Sequence, residues 1–211
     1  MKILELFSGT ESFSKVAREL GHECITLDNN PEFKPTICKS ILDFDPKKDL
    51  PKGWEPDIIW ASPPCQTFSV MSNYIYWNFP NPKKSKGSLH LAFVLKALEV
   101  IDSLKPKYWF MENPRGLLRK FEFMSSLFRQ TVTYCQYGMP YMKPTDIWTN
   151  CNEWTPRPMC KNGDSCHAEA KRGAKTGVQG VNDGFIGKSF AQARKDRGKV
   201  PRELCMEILT R

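Results

Sequence analysis

The segment ASPPCQTFS (Ala61 to Ser69) sets Cys65 in a proline-stiffened turn directly after a short apolar run. A thiol at such a turn faces the ligand side of a sheet, as a nucleophile must. A lone cysteine is also commonly a small buried hydrophobe, and position alone leaves both readings open. FMENPRG (Phe110 to Gly116) ends a second apolar run on Glu112 and Asn113. A carboxyl group beside a nucleophilic thiol can protonate or orient a substrate; seen alone, it is as readily a strand-end ion-pair partner. LFSGTESFS (Leu6 to Ser14) joins a third run to a helix start through Gly9. Such a turn lets backbone approach a ligand closely, and the helix N-terminus favours negative charge. Asp28 closes a further run about 20 residues later, where an acid can hold ribose hydroxyls or simply meet solvent. Together the glycine turn and the acid point to a nucleoside-type cofactor.

These residues need a scaffold that brings several strand ends to one edge, and the chain has the pattern for it. Ile3 to Phe7, Glu23 to Leu27, Asp57 to Ala61 and Tyr108 to Met111 read as strands. Glu11 to Leu20 is a helix, with Phe13, Val16, Ala17 and Leu20 at helical spacing and Gly21 at its C-terminus. Leu89 to Leu104 is a second helix, with Leu91, Val94, Leu95, Leu98 and Ile101 on one face. Val200 to Leu209 is a third, opened by Pro201. The alternation predicts an α/β fold with a doubly wound, mostly parallel sheet and ligands at the carboxyl ends of its strands. Residues 66–88 lack a sustained period, and 23 residues are long for a connection, so they read as a functional loop.

At 211 residues the chain can bury a core without disulfide staples, and no apolar run approaches the roughly 18 residues of a membrane span. The amino-terminal stretch has no signal-peptide pattern. Eight cysteines in such a chain suggest reduced thiols, a metal site or catalysis rather than a disulfide framework. The expected setting is therefore the cytoplasm, with a monomer as the expected state. The net charge of +8 suits a phosphate-bearing partner without specifying one.

Taken in order, these segments resemble the cytosine-5 DNA methyltransferase family over about three quarters of the chain. LFSGTESFS resembles its first cofactor motif, TLDNN its ribose-binding acid, and ILDF (Ile41 to Phe44) its adenine contact. SPPCQTFS is similar to the catalytic motif, and MENPRG to the glutamate–asparagine motif. Gly87 to Leu89 resembles a further cofactor contact. YCQYGMPYMKPTDIW (Tyr134 to Trp148) and GKVPRELCMEI resemble the two remaining motifs. The resemblance implies an S-adenosylmethionine cofactor held by Phe7, Ser8, Gly9, Thr10, Glu11, Ser12, Phe13, Asp28, Asn29, Asp43, Phe44, Pro64, Leu89 and Val200. It implies a flipped cytosine in DNA, attacked at C6 by Cys65, with Glu112 at N3 and Asn113 fixing the glutamate. Gln66 and its loop would close over the base, Lys143 would keep a positive charge near it, and Lys83, Lys84 and Lys86 are candidate phosphate contacts. The chain departs from the family pattern at Glu11 and Ser12, where glycines are common, and at Pro114 after the asparagine. Tyr141, Lys143 and Thr145 stand in place of a glutamine and two arginines, and Gly198 in place of an asparagine.

Only about 50 residues separate Trp148 from Val200, where the family carries a long target-recognition region; so compact a form resembles phage members, which implies a bacterial or phage-infected host cell. The expected division is 1–149 for catalysis, 150–197 for a small basic insert and 198–211 for a returning helix. From Cys151 to Arg211 there are twelve Lys and Arg against seven Asp and Glu, which marks this stretch as the DNA-facing surface. Trp154 and Phe185 are either base-stacking groups or the insert's own core. Cys151, Cys160, Cys166 and His167 lie within 17 residues and are a candidate zinc set, with unliganded thiols as the alternative. Two other functions stay open: a same-fold methyltransferase acting on RNA or single-stranded DNA, and a non-catalytic DNA-binding relative.

Overall fold

The computed structural model of the chain describes residues 1–70, 72–161, 163–167, 196 and 198–210. Among them are nine strands: β1 (Lys2–Leu6), β2 (Glu23–Asp28), β3 (Ile37–Cys38), β4 (Ile58–Ala61), β5 (Trp77–Asn78), β6 (Asn81–Pro82), β7 (Tyr108–Pro114), β8 (Arg129–Thr133) and β9 (Pro144–Thr149). The helices are α1 (Ser12–Glu19), α2 (Pro46–Asp49), α3 (Asn73–Tyr76), α4 (Ser85–Leu104), α5 (Glu122–Ser125) and α6 (Arg202–Leu209). Seven strands form one sheet in the order β3-β2-β1-β4-β7-β9-β8, and β5 and β6 form a separate ribbon. All pairings from β3 to β7 are parallel; β9 runs antiparallel to both its neighbours. The chain leaves β1 toward β2 on one side and returns to β4 on the other. That reversal opens a crevice at the carboxyl ends of β1 and β4, where open α/β sheets bind ligands.

Strand alternation divides the core between the two sheet faces. Ile3, Ile58, Trp60 and Phe110 pack with Phe13, Val16 and Ala17 of α1 and with Leu204, Cys205 and Ile208 of α6. Leu4, Leu6, Ile59, Ala61 and Met111 pack with Val94, Ala97 and Ile101 of α4. Phe13 stacks on Trp60 with ring centroids 4.5 Å apart, so α1 is docked by an aromatic pair. Helix α6 closes on α1 through the Cys205 thiol to the Ser12 carbonyl (3.7 Å) and an Arg202–Glu19 ion pair (2.8 Å).

Three expectations need correction. Helix α4 begins at Ser85, four residues before Leu89, because Gly87 lets its first turn lie against the β5–β6 ribbon. Its buried face is His90, Val94, Ala97 and Ile101, one step round from the predicted stripe, and Leu95 is 47% exposed. Residues 66–88 are not one long loop. Phe68 and Trp77 are buried, stack on each other at 5.8 Å, and meet the edge of Phe121. Single aromatic anchors of this kind leave no periodic trace in a sequence. Trp154 is no stacking group either. It is fully buried against the edge of Phe110, and its indole N–H donates to Glu207 (2.9 Å). Phe185 lies outside the described residues.

One buried acid was not singled out from the sequence. Glu5 sits within β1 on the α1 side, 3% exposed, and accepts from the backbone N–H groups of Ser14 (2.9 Å) and Phe13 (3.4 Å). It therefore caps α1 from the neighbouring strand, a role normally taken by the N-cap side chain. Burial outweighs those hydrogen bonds and raises its pKa from 4.5 to about 7. The folded state holds this proton across a window in which the unfolded chain has released it, so this group's stabilisation is lost as pH rises from about 4.5 through about 7. A shift of that size corresponds to on the order of 3 kcal/mol. Glu5→Gln is expected to flatten this slope, read as urea-unfolding stabilities at pH 5 and 7.5. An unchanged slope would show that Glu5 does not titrate there.

Candidate active site

The loop between β1 and α1 is built on unusual backbone. Phe7 (φ 58°), Gly9 (φ 47°) and Glu11 (φ 56°) are all left-handed. For the two non-glycine residues this costs about 1–2 kcal/mol each, and such strain concentrates at ligand sites. It is offset by specific ties. The Asp28 carboxylate accepts from the Gly9 N–H (2.9 Å) with one oxygen and from the Asn30 N–H (2.9 Å) with the other. Ser8 N–H donates to the Leu27 carbonyl (3.0 Å). Glu11, standing where the family prefers glycine, accepts from the Thr26 hydroxyl (2.8 Å) and pairs with Arg18 (2.7 Å). Gly9, Thr10, Glu11, Lys15, Glu32 and Phe33 line a cleft of about 280 Å³. The buried Ser8 hydroxyl has no hydrogen-bond partner among the described residues.

The other expected cofactor contacts are unequally placed. Asn29 and Asp43 are exposed, Pro64 is half-buried and Leu89 is 44% exposed. The side chains of Phe13, Phe44 and Val200 are buried in the hydrophobic core. Phe13 faces Trp60, so its part at this edge is confined to backbone and packing.

The turn after β4 is held from three sides. Ser62 N–H donates to the Leu6 carbonyl (3.2 Å), tying it to the β1 exit, and the Trp60 indole N–H reaches the Ser62 hydroxyl (2.9 Å). The Asn113 side-chain amide, fully buried on β7, donates to the Pro63 carbonyl (3.0 Å). Cys65 follows, half-buried, and its carbonyl accepts from the N–H groups of Phe68 and Ser69 (3.0 Å each). The Thr67 hydroxyl lies 3.2 Å from Nδ1 of His90. Burial, with Lys86 nearby, lowers the His90 pKa to about 4, so the imidazole is neutral at pH 7. Gln66 is exposed and accepts from Lys86 Nζ (2.7 Å), while Lys83 donates to the Tyr74 carbonyl (3.2 Å).

Glu112 lies at the same edge, on the strand that pairs with β4. It is 6% exposed. The Tyr134 hydroxyl donates to its Oε1 (2.9 Å), and Lys143 Nζ stands 3.6 Å from that same oxygen and 4.6 Å over the Tyr134 ring. Burial, then the Glu112 charge, holds the Tyr134 pKa well above 10, so the phenol remains a donor. Both groups come from the β8–β9 connection, which the antiparallel course of β9 returns to the carboxyl edge. Tyr134 was not expected as a site residue; its signal was its place at the start of the tyrosine–glycine segment. The structure thus gathers Cys65, Glu112, Asn113 and Lys143 at one edge with the β1–α1 loop.

The candidate metal set changes by one member. Cys160, Cys166 and His167 come together with Cys135, all four ligand atoms within 4.8 Å of one another. Cys151 instead lies in the core, its thiol 3.7 Å from Glu153. Nearness in sequence suggested Cys151; the fold brings Cys135 across from the β8–β9 connection.

The C-5 cytosine-specific DNA methylase family matches residues 1–131. Over 220 aligned residues, and 99% of each chain, the protein is 33% identical to the "Probable DNA (cytosine-5)-methyltransferase" of Frog virus 3 (isolate Goorha). A DNA modification methyltransferase encoded within an E. coli prophage superposes with a TM-score of 0.55 at 15% identity, over 71% of this chain and 46% of the other. The chain thus spans less than half of that structure, and the likeness is one of fold.

Gly116 closes this geometry. Any Cβ there would fall 2.3 Å from the Phe68 carbonyl oxygen, which accepts from Leu117 N–H (2.8 Å). Gly116→Ala must push the Cys65 turn off the β7 exit. It is expected to cost about 1–3 kcal/mol of stability and to speed hydrogen exchange at the Phe68 and Ser69 amides while leaving β1 unchanged. Unaltered exchange at those two amides would overturn this account of the turn.

Proposed function

The chain belongs to the C-5 cytosine-specific DNA methylase family, and on that premise we propose how its residues transfer a methyl group to C5 of cytosine in DNA. The observation that carries the reading is that Cys65, in the turn after β4, and Glu112, on β7, lie at the carboxyl ends of adjacent parallel strands, coupled by the Asn113 amide to the Pro63 carbonyl.

The residues present fit S-adenosylmethionine. The strained 7–11 backbone, the unpartnered Ser8 hydroxyl, the neighbouring cleft and the strand-end Asp28 form an anchor for a nucleoside with a charged tail. Ser8 to Ser12 would hold the amino-acid end. Asp28 would hold the ribose hydroxyls with the lone pairs left after its two backbone bonds. Asp43 is proposed to meet the adenine. When bound, the cofactor supplies an electrophilic methyl group.

The target base is reached by flipping, since C5 and C6 are shielded within the stack. The Cys65 thiolate adds to C6, forming a C–S bond as the C5–C6 π pair moves into the ring. Tyr134 and Lys143 both engage Oε1 of Glu112, and we assign Oε2 to the base, where it holds on N3 the proton that N3 takes up from solvent as the ring pair shifts toward it. Electron density then gathers at C5. Once C5 carries the methyl group, loss of the C5 proton to solvent and cleavage of the C6–S bond restore the ring and the thiolate, and N3 gives its proton back to solvent. Asn113 and Tyr134 are positioning residues: the first sets the height of the Cys65 turn, the second the orientation of Glu112. Gln66 and the loop after it would close over the base.

DNA contact is proposed for the basic stretch 150–197, rooted in the core by Cys151 and Trp154. With so short a stretch, base-edge contacts are few and backbone contacts dominate. The relative's viral origin supports action within an infected cell. No helix among the described residues is long and apolar enough to cross a membrane.

The deciding experiment is nucleoside mass spectrometry on duplex DNA, single-stranded DNA and RNA incubated with the protein and S-adenosylmethionine. New 5-methylcytosine in duplex DNA is expected, and none with Cys65→Ala. Product from Cys65→Ala would remove the nucleophile assignment, and product only in RNA would reassign the substrate. Asp28→Ala is expected to weaken cofactor binding in calorimetry, because it loses the ribose contact and frees Gly9 together. Tyr134→Phe should lower kcat about 10–100-fold, the loss of one hydrogen bond to a charged group, and should shift the pH profile of kcat with KM nearly unchanged. An unshifted profile with kcat near wild type would mean that Tyr134 only packs.

A further inference from the structure

We propose that Cys135, Cys160, Cys166 and His167 form a structural zinc site that staples the start of the basic stretch to the turn bearing Tyr134. Three thiols and one imidazole are the donor set of a closed tetrahedral zinc centre. With zinc–sulfur and zinc–nitrogen bonds of about 2.3 and 2.0–2.1 Å, a tetrahedral edge between sulfur and nitrogen is about 3.6 Å. Nδ1 of His167 lies 3.4 Å from Cys166 Sγ and 3.7 Å from Cys160 Sγ. The adjacent Cys166 and His167 therefore aim at a common centre. Cys135 and Cys160 sulfurs are 2.9 Å apart, beyond the roughly 2.05 Å of a disulfide; moving them apart by under about 1 Å reaches the tetrahedral sulfur–sulfur edge of about 3.8 Å that the same bond lengths set.

Two further observations favour a metal over a chance meeting of thiols. The first is burial. Cys160 is 5% exposed within an otherwise polar stretch without helix or strand, between Met159 at 41% exposure and an exposed Lys161. Apolar packing gives no reason to bury that one residue, whereas a metal would order a segment too polar to make a core. The second is the surrounding shell. The Gln136 side-chain N–H donates to Cys166 Sγ (3.3 Å), the kind of bond that steadies a metal-bound thiolate. The Cys160 N–H donates to the Thr133 hydroxyl (3.1 Å), and Arg157 donates to the Gln136 carbonyl (2.7 Å), so both ligand-bearing segments are fixed on each other. Nε2 of His167 is buried with no partner among the described residues, which leaves Nδ1 as the ligand atom.

The site includes none of the residues proposed to transfer the methyl group and needs neither cofactor nor DNA, so its test is independent of the proposed reaction. The full chain would be made without a histidine tag, with zinc in the medium, and its metal content measured by inductively coupled plasma mass spectrometry alongside a denatured thiol count. The expected result is about one zinc per chain with all eight thiols reduced. Absence of zinc with eight thiols would leave only a thiol cluster. Absence of zinc with six would mean a disulfide. Either result overturns the proposal. Cys166→Ser should lose most of the zinc and Cys151→Ala should keep it; zinc lost from Cys151→Ala but kept in Cys166→Ser would overturn the ligand assignment. Should Cys166→Ser fail to fold, cobalt substitution of the wild type decides. Tetrahedral d–d bands with thiolate charge-transfer bands are expected, and an octahedral spectrum without them would refute the site.

Discussion

The site depends on one hydrogen bond from β7 to the turn after β4, the buried Asn113 amide donating to the Pro63 carbonyl. Strands β4 and β7 are in parallel register, so their carboxyl ends arrive at the same edge, but register alone does not set the height of a turn above it. The prolines deny the turn backbone N–H donors of its own at two positions. An acceptor of that turn is therefore met from outside, by a side chain on the strand that carries Glu112. Cys65 and Glu112, the proposed nucleophile and acid, are thus set against each other through one bond. The close approach of Gly116 to the Phe68 carbonyl then closes the other end of the same turn.

A second consequence concerns charge at the β1 edge. Three acids, Glu5, Glu11 and Asp28, converge there where a glycine-rich loop would need none. Each is used on backbone or hydroxyl donors: Glu5 caps α1, Glu11 holds Thr26, and Asp28 holds Gly9 and Asn30. Acids substitute here for the conformational freedom of glycine. They fix by hydrogen bonding a left-handed path that glycine would reach at little cost. The result is a more rigid loop, with less to lose when a ligand orders it.

Much of this was legible in the residues. The strand–turn–residue pattern of Asp28, Cys65 and Glu112 requires only that apolar runs become adjacent parallel strands, and they do. What was not legible needed contacts between distant segments. Glu5 carries no signal of its own within the Ile3 to Phe7 run; its role exists only once α1 packs over it. Asp146, fully buried, makes sense only once Arg119 (2.7 Å), Thr131 (2.8 Å) and Arg129 (3.9 Å) close on it; the Arg119 pair pins the segment after Gly116 to β9. Phe68 and Trp77 were hidden because an isolated anchor has no period. Cys135 was missed because ligand spacing was sought within one stretch, whereas the fold draws one ligand from a different connection.

The β8–β9 connection ties these strands of the argument together. In ten residues it carries Tyr134 and Lys143, both on one oxygen of Glu112, and Cys135, which meets Cys160. Where the family pattern has arginine, this chain has a lysine whose point charge cannot set a carboxylate in plane as a guanidinium fork does. The phenol of Tyr134 supplies the missing direction, and it can do so only if its own turn is held. That turn is a single 3-10 turn, Tyr134–Tyr137, so it borrows rigidity from what packs on it. In this molecule that is α6, through Tyr137 and Glu207, and the start of the basic stretch, through Cys135, Gln136 and Arg157. The placing of Arg157, Cys160 and Cys166 and the orientation of Glu112 are therefore one mechanical problem, solved at a single turn.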